Sequence, residues 1–227
     1  MAFLSNPIGK KMLMALTGIV LFLFLVAHLL GNTTVFGGQG WINAYAEHIH
    51  SAMFAPPLWA ARVVLLACLG LHIALGTLLF LENTKAAPTK GTFVTYKEAG
   101  LSSRTMFYTG LLILAYLIYH LLHFTFHSVH ASISVSAFPP DAQGRPDVFR
   151  SIALSFQRPV IAGTYLLAMA VVCLHTFHGV FSSLQTLGLP GKASLPVLKR
   201  AGQVLATLLA AGFALVPVAV LTGWINL

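Results

Sequence analysis

The chain has 227 residues, of which 57% are apolar and only 8% charged, with a mean hydropathy of +0.84. That balance excludes an ordinary soluble domain, in which about 25% of residues are charged, and points to a protein solvated by lipid. The formal net charge of +8 calls for no nucleic-acid partner. On a membrane protein it describes a basic face suited to anionic lipid head groups or to a docked acidic protein.

Five nearly uncharged runs follow one another, over 12–30, 58–80, 106–126, 160–181 and 204–224. Each is near the roughly 20 residues that cross a hydrocarbon core of about 30 Å. None alternates with the period of two that a barrel strand needs, so the spacing predicts five transmembrane helices in an all-α bundle. Arg62 alone interrupts a run, close enough to an end to snorkel. The first run follows Lys10-Lys11, as a signal peptide would. It is too long for one and has no small-residue cleavage site before His28.

The connections are short. Residues 1–11 are a basic lead-in. The segment 31–57 opens with glycines and continues as Trp41 to His50, a mixture that suits a short interfacial helix. Residues 82–103 form a polar basic loop, 128–158 the longest connection, expected to pack over the bundle, and 187–200 a short loop with Gly188, Pro190 and Gly191. No polar segment is long enough to enclose its own core, so residues 1–227 read as one domain. With the N-terminus in the cytoplasm, Lys10, Lys11, Lys85, Lys90, Lys97, Arg104, Lys192, Lys199 and Arg200 fall inside. Arg62, Arg145, Arg150 and Arg158 fall outside. This bias predicts a cytoplasmic N-terminus and an external C-terminus.

Four histidines, one in each of the first four runs, form a doubled pattern. Thr17-Gly18 is followed by nine residues and His28, and Thr109-Gly110 by nine residues and His120. His72 is followed at the fourth position by Gly76, and His175 by Gly179. The order A-B-A-B is a repeat at the level of a helix pair. An imidazole within the bilayer is costly without a partner and marks a functional candidate. Up-and-down threading puts His28 and His120 at an outer level and His72 and His175 at an inner one, roughly 10–15 Å apart along the membrane normal. Two bis-histidine pairs across a four-helix core could clamp two flat macrocycles one above the other. Haem b fits best, because iron with two imidazoles is six-coordinate and suited to electron transfer. Glycine four residues after a histidine lies on the same face and leaves room for a porphyrin. Thr17 and Thr109, three turns before their histidines, would reach the inner level, their hydroxyls bonding a propionate or their own backbone.

Other readings of these residues stand beside this one. A single histidine in an apolar helix is often bonded to a neighbouring helix. His123, His127 and His130 extend the stripe from His120 and could hold zinc or copper, or lie at the outer interface, the favoured reading. His178 neighbours His175 but lacks the glycine at four. Cys68 and Cys173 sit alone, with no spacing for zinc, an iron–sulfur cluster or covalent haem attachment; both read as packing residues. No Asp or Glu lies inside any run, so no carboxylate relay crosses the membrane.

His28-Leu29 followed by Asn32, Asn43 in the first outer segment, His72 with Gly76, Thr109-Gly110 with His120, and His175 with Gly179 and Ser182 resemble a known family. It is the single-chain, five-helix, di-haem cytochrome b subunit of succinate:quinone oxidoreductases, the succinate dehydrogenases and fumarate reductases. The resemblance covers essentially the whole chain. It implies a membrane anchor in a bacterial cytoplasmic membrane, with helices one to four enclosing two stacked haems b. It implies that His28 and His120 ligate the distal haem and His72 and His175 the proximal one, in agreement with the depth argument. It also implies a flavoprotein and an iron–sulfur protein on the cytoplasmic face and electron exchange with a membrane quinone. Lys85, Lys90, Lys97, Arg104, Lys192 and Lys199 are candidates for the docking face, though positive-inside residues explain most of them equally well. Glu47 and His48, after helix one on the outer side, are the protonatable candidates for the quinone site, or else solvated loop residues. A di-haem cytochrome b anchoring another dehydrogenase, and a histidine-lined metal or proton transporter without haem, are the competing functions. The transporter predicts charged or helix-breaking residues at mid-membrane, and only Pro217, on a helix without histidine, fits.

Overall fold

The computed structural model describes residues 6–86, 104–189, 191 and 193–227. Its helices are α1 (Pro7–Thr33), α2 (Gln39–His50), α3 (Ala55–Ala86), α4 (Met106–Phe124), α5 (Val148–Phe156), α6 (Pro159–Thr186) and α7 (Leu195–Leu221). Short 3-10 turns lie at Thr34–Gly37, Ala131–Ile133 and Val135–Ala137. No strand occurs among the described residues. Helices α1, α3, α4, α6 and α7 are long and apolar enough to cross a membrane, and the protein is an all-α bundle of five such spans.

α1, α3 and α6 extend beyond their apolar runs at both ends and α7 starts before its run, whereas α4 stays within its run. Asn6 accepts the Ile8 N–H at 3.0 Å, and Pro7 occupies the first position of α1, where its missing N–H costs nothing. Pro159 likewise stands at the first position of α6, there without a side-chain cap. α7 begins at Leu195 with Pro196 in its first turn, within the segment expected to be a loop. α3 runs on through Glu82 and Lys85, and Lys10 on α1 pairs with Glu82. Lys90, Lys97 and Lys192 lie outside the described residues, whereas Lys85, Lys199 and Arg200 are exposed.

α1, α3, α4 and α6 form a ring in which α1 packs on α3 and α6, α4 packs on α6, and α3 approaches α4 more sparsely. Neither diagonal, α1 with α4 or α3 with α6, packs closely among the described residues. α7 lies outside this ring against α6 and α1. Its Gly202, Ala206 and Ala210 recur every four residues, all buried, so the α6 backbone comes close. A Cβ on Gly202 would meet the Phe181 nitrogen at 3.4 Å, the small-residue packing that joins helices in lipid. Large side chains such as Leu23, Leu66, Leu112, Leu167 and Leu208 point outward, as lipid requires.

The best-packed core caps the end of the bundle away from Pro7. Val35, Ile42, Ile133, Ile152, Phe156, Ile161, Tyr165, Val216 and Val220 are buried together there. This cap contains α2, found where the interfacial helix was expected, and α5, a helix inside the long connection 128–158. Gly38, at φ +81°, turns the chain from the 3-10 turn into α2, a conformation open to glycine without strain. Asn43, wholly buried, is the pin between the two: its amide donates to Asp141 Oδ2 (3.0 Å) and Asp147 Oδ1 (3.2 Å), and its oxygen accepts the Phe149 N–H (3.0 Å). Asp147 also caps α5 by accepting the Arg150 N–H. Burial pushes the Asp141 carboxyl up, but hydrogen bonds from Asn43, Arg145 and the Gln143 N–H outweigh it and hold its pKa down to about 2. All three tryptophans, Trp41, Trp59 and Trp224, are exposed and sit at this end, with the Arg62 guanidinium 4.8 Å from the Trp59 ring. An aromatic belt at a lipid–water boundary has this composition.

Candidate cofactor-binding site

The four histidines converge in two pairs across the open diagonals. His72 of α3 faces His175 of α6, with ring centres 6.4 Å apart and planes crossed at 63°. His28 of α1 faces His120 of α4, with centres 5.9 Å apart and planes crossed at 87°. These are the pairings expected from depth. Thr17 touches His72, and His28 lies eleven residues further along the same helix, so the levels differ by about 16 Å at 1.5 Å per residue. That slightly exceeds the expected separation.

Hydrogen bonds fix the state of three of the four imidazoles. The Thr17 hydroxyl lies 2.8 Å from the Leu13 carbonyl and 3.1 Å from that of Met14, to which it donates. Its oxygen therefore accepts from His72 Nδ1, 3.2 Å away. Thr109 repeats this with the Thr105 and Met106 carbonyls and His175 Nδ1 at 3.1 Å. His120 is set by a longer chain. Ser155 donates to the Ser151 carbonyl (2.7 Å), so its oxygen accepts from His123 Nε2 (3.1 Å). His123 Nδ1 then accepts from the Tyr165 hydroxyl (3.1 Å), whose oxygen is left to face His120 Nδ1 (3.4 Å). In all three imidazoles Nδ1 carries the hydrogen, and Nε2 keeps a bare lone pair, the form that binds a metal. His28 is held by rings instead, stacked on Phe24 at 5.5 Å and against Phe213 at 5.7 Å.

This donor set can be tested against a flat metal macrocycle. Two metal–imidazole bonds of about 2.0–2.1 Å, with the offset from nitrogen to ring centre on each side, put trans ring centres roughly 6 Å apart. Both pairs stand at that spacing. Each pair offers two nitrogens, and among the described residues no group of three or more His, Cys, Asp or Glu converges. Two donors suit a metal that brings its equatorial ligands with it. The repeated glycines fit as well: a Cβ on Gly76 would meet the Met14 methyl at 3.3 Å, and one on Gly179 the Met106 methyl at 3.8 Å. Both are ends of flexible side chains in equivalent places of the repeat. The spacing and the two-nitrogen donor set of each pair are compatible with a metal held between two imidazoles.

Two expectations change. His123 does not lie at an interface; it is 2% exposed, with both nitrogens engaged, and has no lone pair for a zinc or copper stripe with His127 and His130. Thr17 and Thr109 reach the inner level as expected but bond imidazoles of neighbouring helices as well as their own backbone. Glu47 and His48 lie on the exposed side of α2, with the His48 ring 4.3 Å from Phe54; nothing brings them into contact with His28 or His120. Tyr165 and Ser155 were missed in the sequence, since their meaning comes from His123, 42 and 32 residues away. Comparison with protein-family models, with curated proteins and with solved structures finds no match for this chain.

Proposed function

We propose that this chain is a di-haem cytochrome b, the membrane subunit of a succinate:quinone oxidoreductase. Its soluble partners are a flavoprotein and an iron–sulfur protein on the cytoplasmic side. The observation that carries the reading is the meeting of four histidines as two crossed pairs, at metal-spanning distance, on the diagonals of one four-helix ring. Haem b held at His28 with His120 and at His72 with His175 would supply one-electron transfer.

The protein's own contribution is positional. α1 and α4 hold the outer imidazoles, α3 and α6 the inner ones, and lipid-facing leucines keep water from both. The inner level is the one nearer the basic end of the bundle, where Lys85, Lys199 and Arg200 would meet an acidic partner by charge complementarity. The outer level lies under α2, where Glu47 or His48 would exchange protons with a quinone. The N-terminus is cytoplasmic in this reading and the C-terminus external.

Reduced-minus-oxidised spectra and haem counting on the purified chain test the cofactor, with two low-spin haems b per chain expected. A haem-free or five-coordinate product would overturn the reading. Mild detergent extraction tests the partners: a flavoprotein with succinate or fumarate activity should stay bound, and a different dehydrogenase in its place would move the chain to another respiratory complex.

A further inference from the structure

The two Thr-Gly dipeptides make the same contact twice. Thr17 and Gly18 of α1 receive the His72 ring of α3, and Thr109 and Gly110 of α4 receive the His175 ring of α6. At each place the hydroxyl proton is committed to carbonyls of its own helix, and the oxygen stands 3.1–3.2 Å from Nδ1. At each place the glycine lets the ring lie against the helix: a Cβ on Gly18 would stand 3.3 Å from His72 Cε1, and one on Gly110 3.5 Å from His175 Cε1. The histidine of each helix pair is thus gripped within that pair, while its ring faces the histidine of the other pair across the diagonal. Nothing equivalent occurs at the outer level, where Tyr165 faces His120 and aromatic rings hold His28.

We propose that Thr17 and Thr109 are positioning residues for the inner histidine pair. They select the Nδ1–H tautomer, fix the rotation of each ring and raise the electron donation of Nε2 by accepting its Nδ1 hydrogen. This inference rests on the di-haem reading and deepens it. Partners that orient a metal-bound histidine are typically worth ten- to a hundredfold in metal affinity or activity. An acceptor at Nδ1 favours the oxidised metal, so its loss raises the inner potential. A tenfold change in that preference corresponds to about 59 mV for a one-electron couple.

The test is Thr17→Val and Thr109→Val in the full chain, beside Thr17→Ser and Thr109→Ser, read by haem counting, redox titration and low-temperature EPR. Each Val variant should raise the potential of one haem only, by roughly tenfold in its redox equilibrium, and alter that haem's low-spin signal and retention. The Ser variants, which keep the hydroxyl, should match the wild type. Unchanged spectra and potentials in both Val variants, equal shifts of both haems, or Ser variants as altered as Val would each overturn the inference. If a Val variant does not accumulate, Thr17→Ala and Thr109→Ala, which add no atom against the ring, give the same contrast with Ser. A wild-type chain without haem would reject the functional reading, whereas a two-haem wild type with indifferent Val variants would reject the positioning role alone.

Discussion

At the end of the bundle nearer Pro7, both imidazoles are gripped alike, each by one hydroxyl from the adjacent helix. At the other end, His120 hangs on a chain through Tyr165, His123 and Ser155, and His28 is wedged between Phe24 and Phe213. The inner pair keeps the symmetry of the sequence repeat, and the outer pair has lost it. The asymmetry follows from what surrounds each level. Among the described residues, the hydrogen-bond, ring and glycine contacts of the inner histidines come from α1, α3, α4 and α6, so the two helix pairs can be equivalent there. The outer histidines lie beneath a cap that α2 and α5 form on one side, and the buried serines of α5 supply the polar ends that the chain needs. Perturbing the cap should therefore reach one histidine pair and leave the other alone.

The largest effects come from the histidines themselves. On the proposed di-haem reading, His28→Ala or His120→Ala should leave one haem of two, and His72→Ala or His175→Ala should remove the other. The combinations sharpen the pairing. His28→Ala with His120→Ala should lose no more than either alone, whereas His28→Ala with His72→Ala should lose both. Haem counting decides, and two haems retained after any single replacement would break the assignment.

Tyr165→Phe comes next. It removes the hydroxyl that joins His120 to His123 and leaves the buried His123 Nδ1 without a donor, at a cost of about 1–3 kcal/mol. Equilibrium unfolding of the solubilised protein should show that loss, and the spectrum of the outer haem should shift while the inner one keeps its wild-type form. A shift at both levels would mean that the cap does not act on one pair alone.

The spans and the pairing were open to reading because lipid leaves the backbone few choices. A run of twenty apolar residues must be a helix, and eleven residues make three turns, so Thr17 and His28 share a face whatever surrounds them. What lay hidden depended on neighbours distant in sequence. The position of Thr17 on α1 was legible, but its bond to His72, 55 residues away, was not. His123 looked interfacial because it stands near the outer end of its apolar run; its burial comes from α5 and α6 folding over it. α5 itself carries a legible signature, an Asp147 cap followed by apolar residues at 148, 149, 152, 153 and 156, in a segment whose prolines and glycine signal a loop.

The smallest effect isolates the cap from both histidine pairs. Asp141 accepts from Asn43, from the Gln143 and Arg145 N–H groups and from the Arg145 guanidinium, with its side chain 1% exposed. Its folded-state pKa of about 2 lies below the ordinary side-chain value of 3.8. The carboxylate therefore contributes stability that is fully present above the unfolded value and fades as pH falls from there toward 2. Asp141→Asn should lower the melting temperature at pH 7, and the gap to the wild type should close between pH 4 and about pH 2. Both haem spectra should stay as they are at pH 7, since no residue of this cluster touches an imidazole of either pair. A melting difference that holds constant down to pH 2.5 would show that the charge of Asp141 is not what ties the loop to α2.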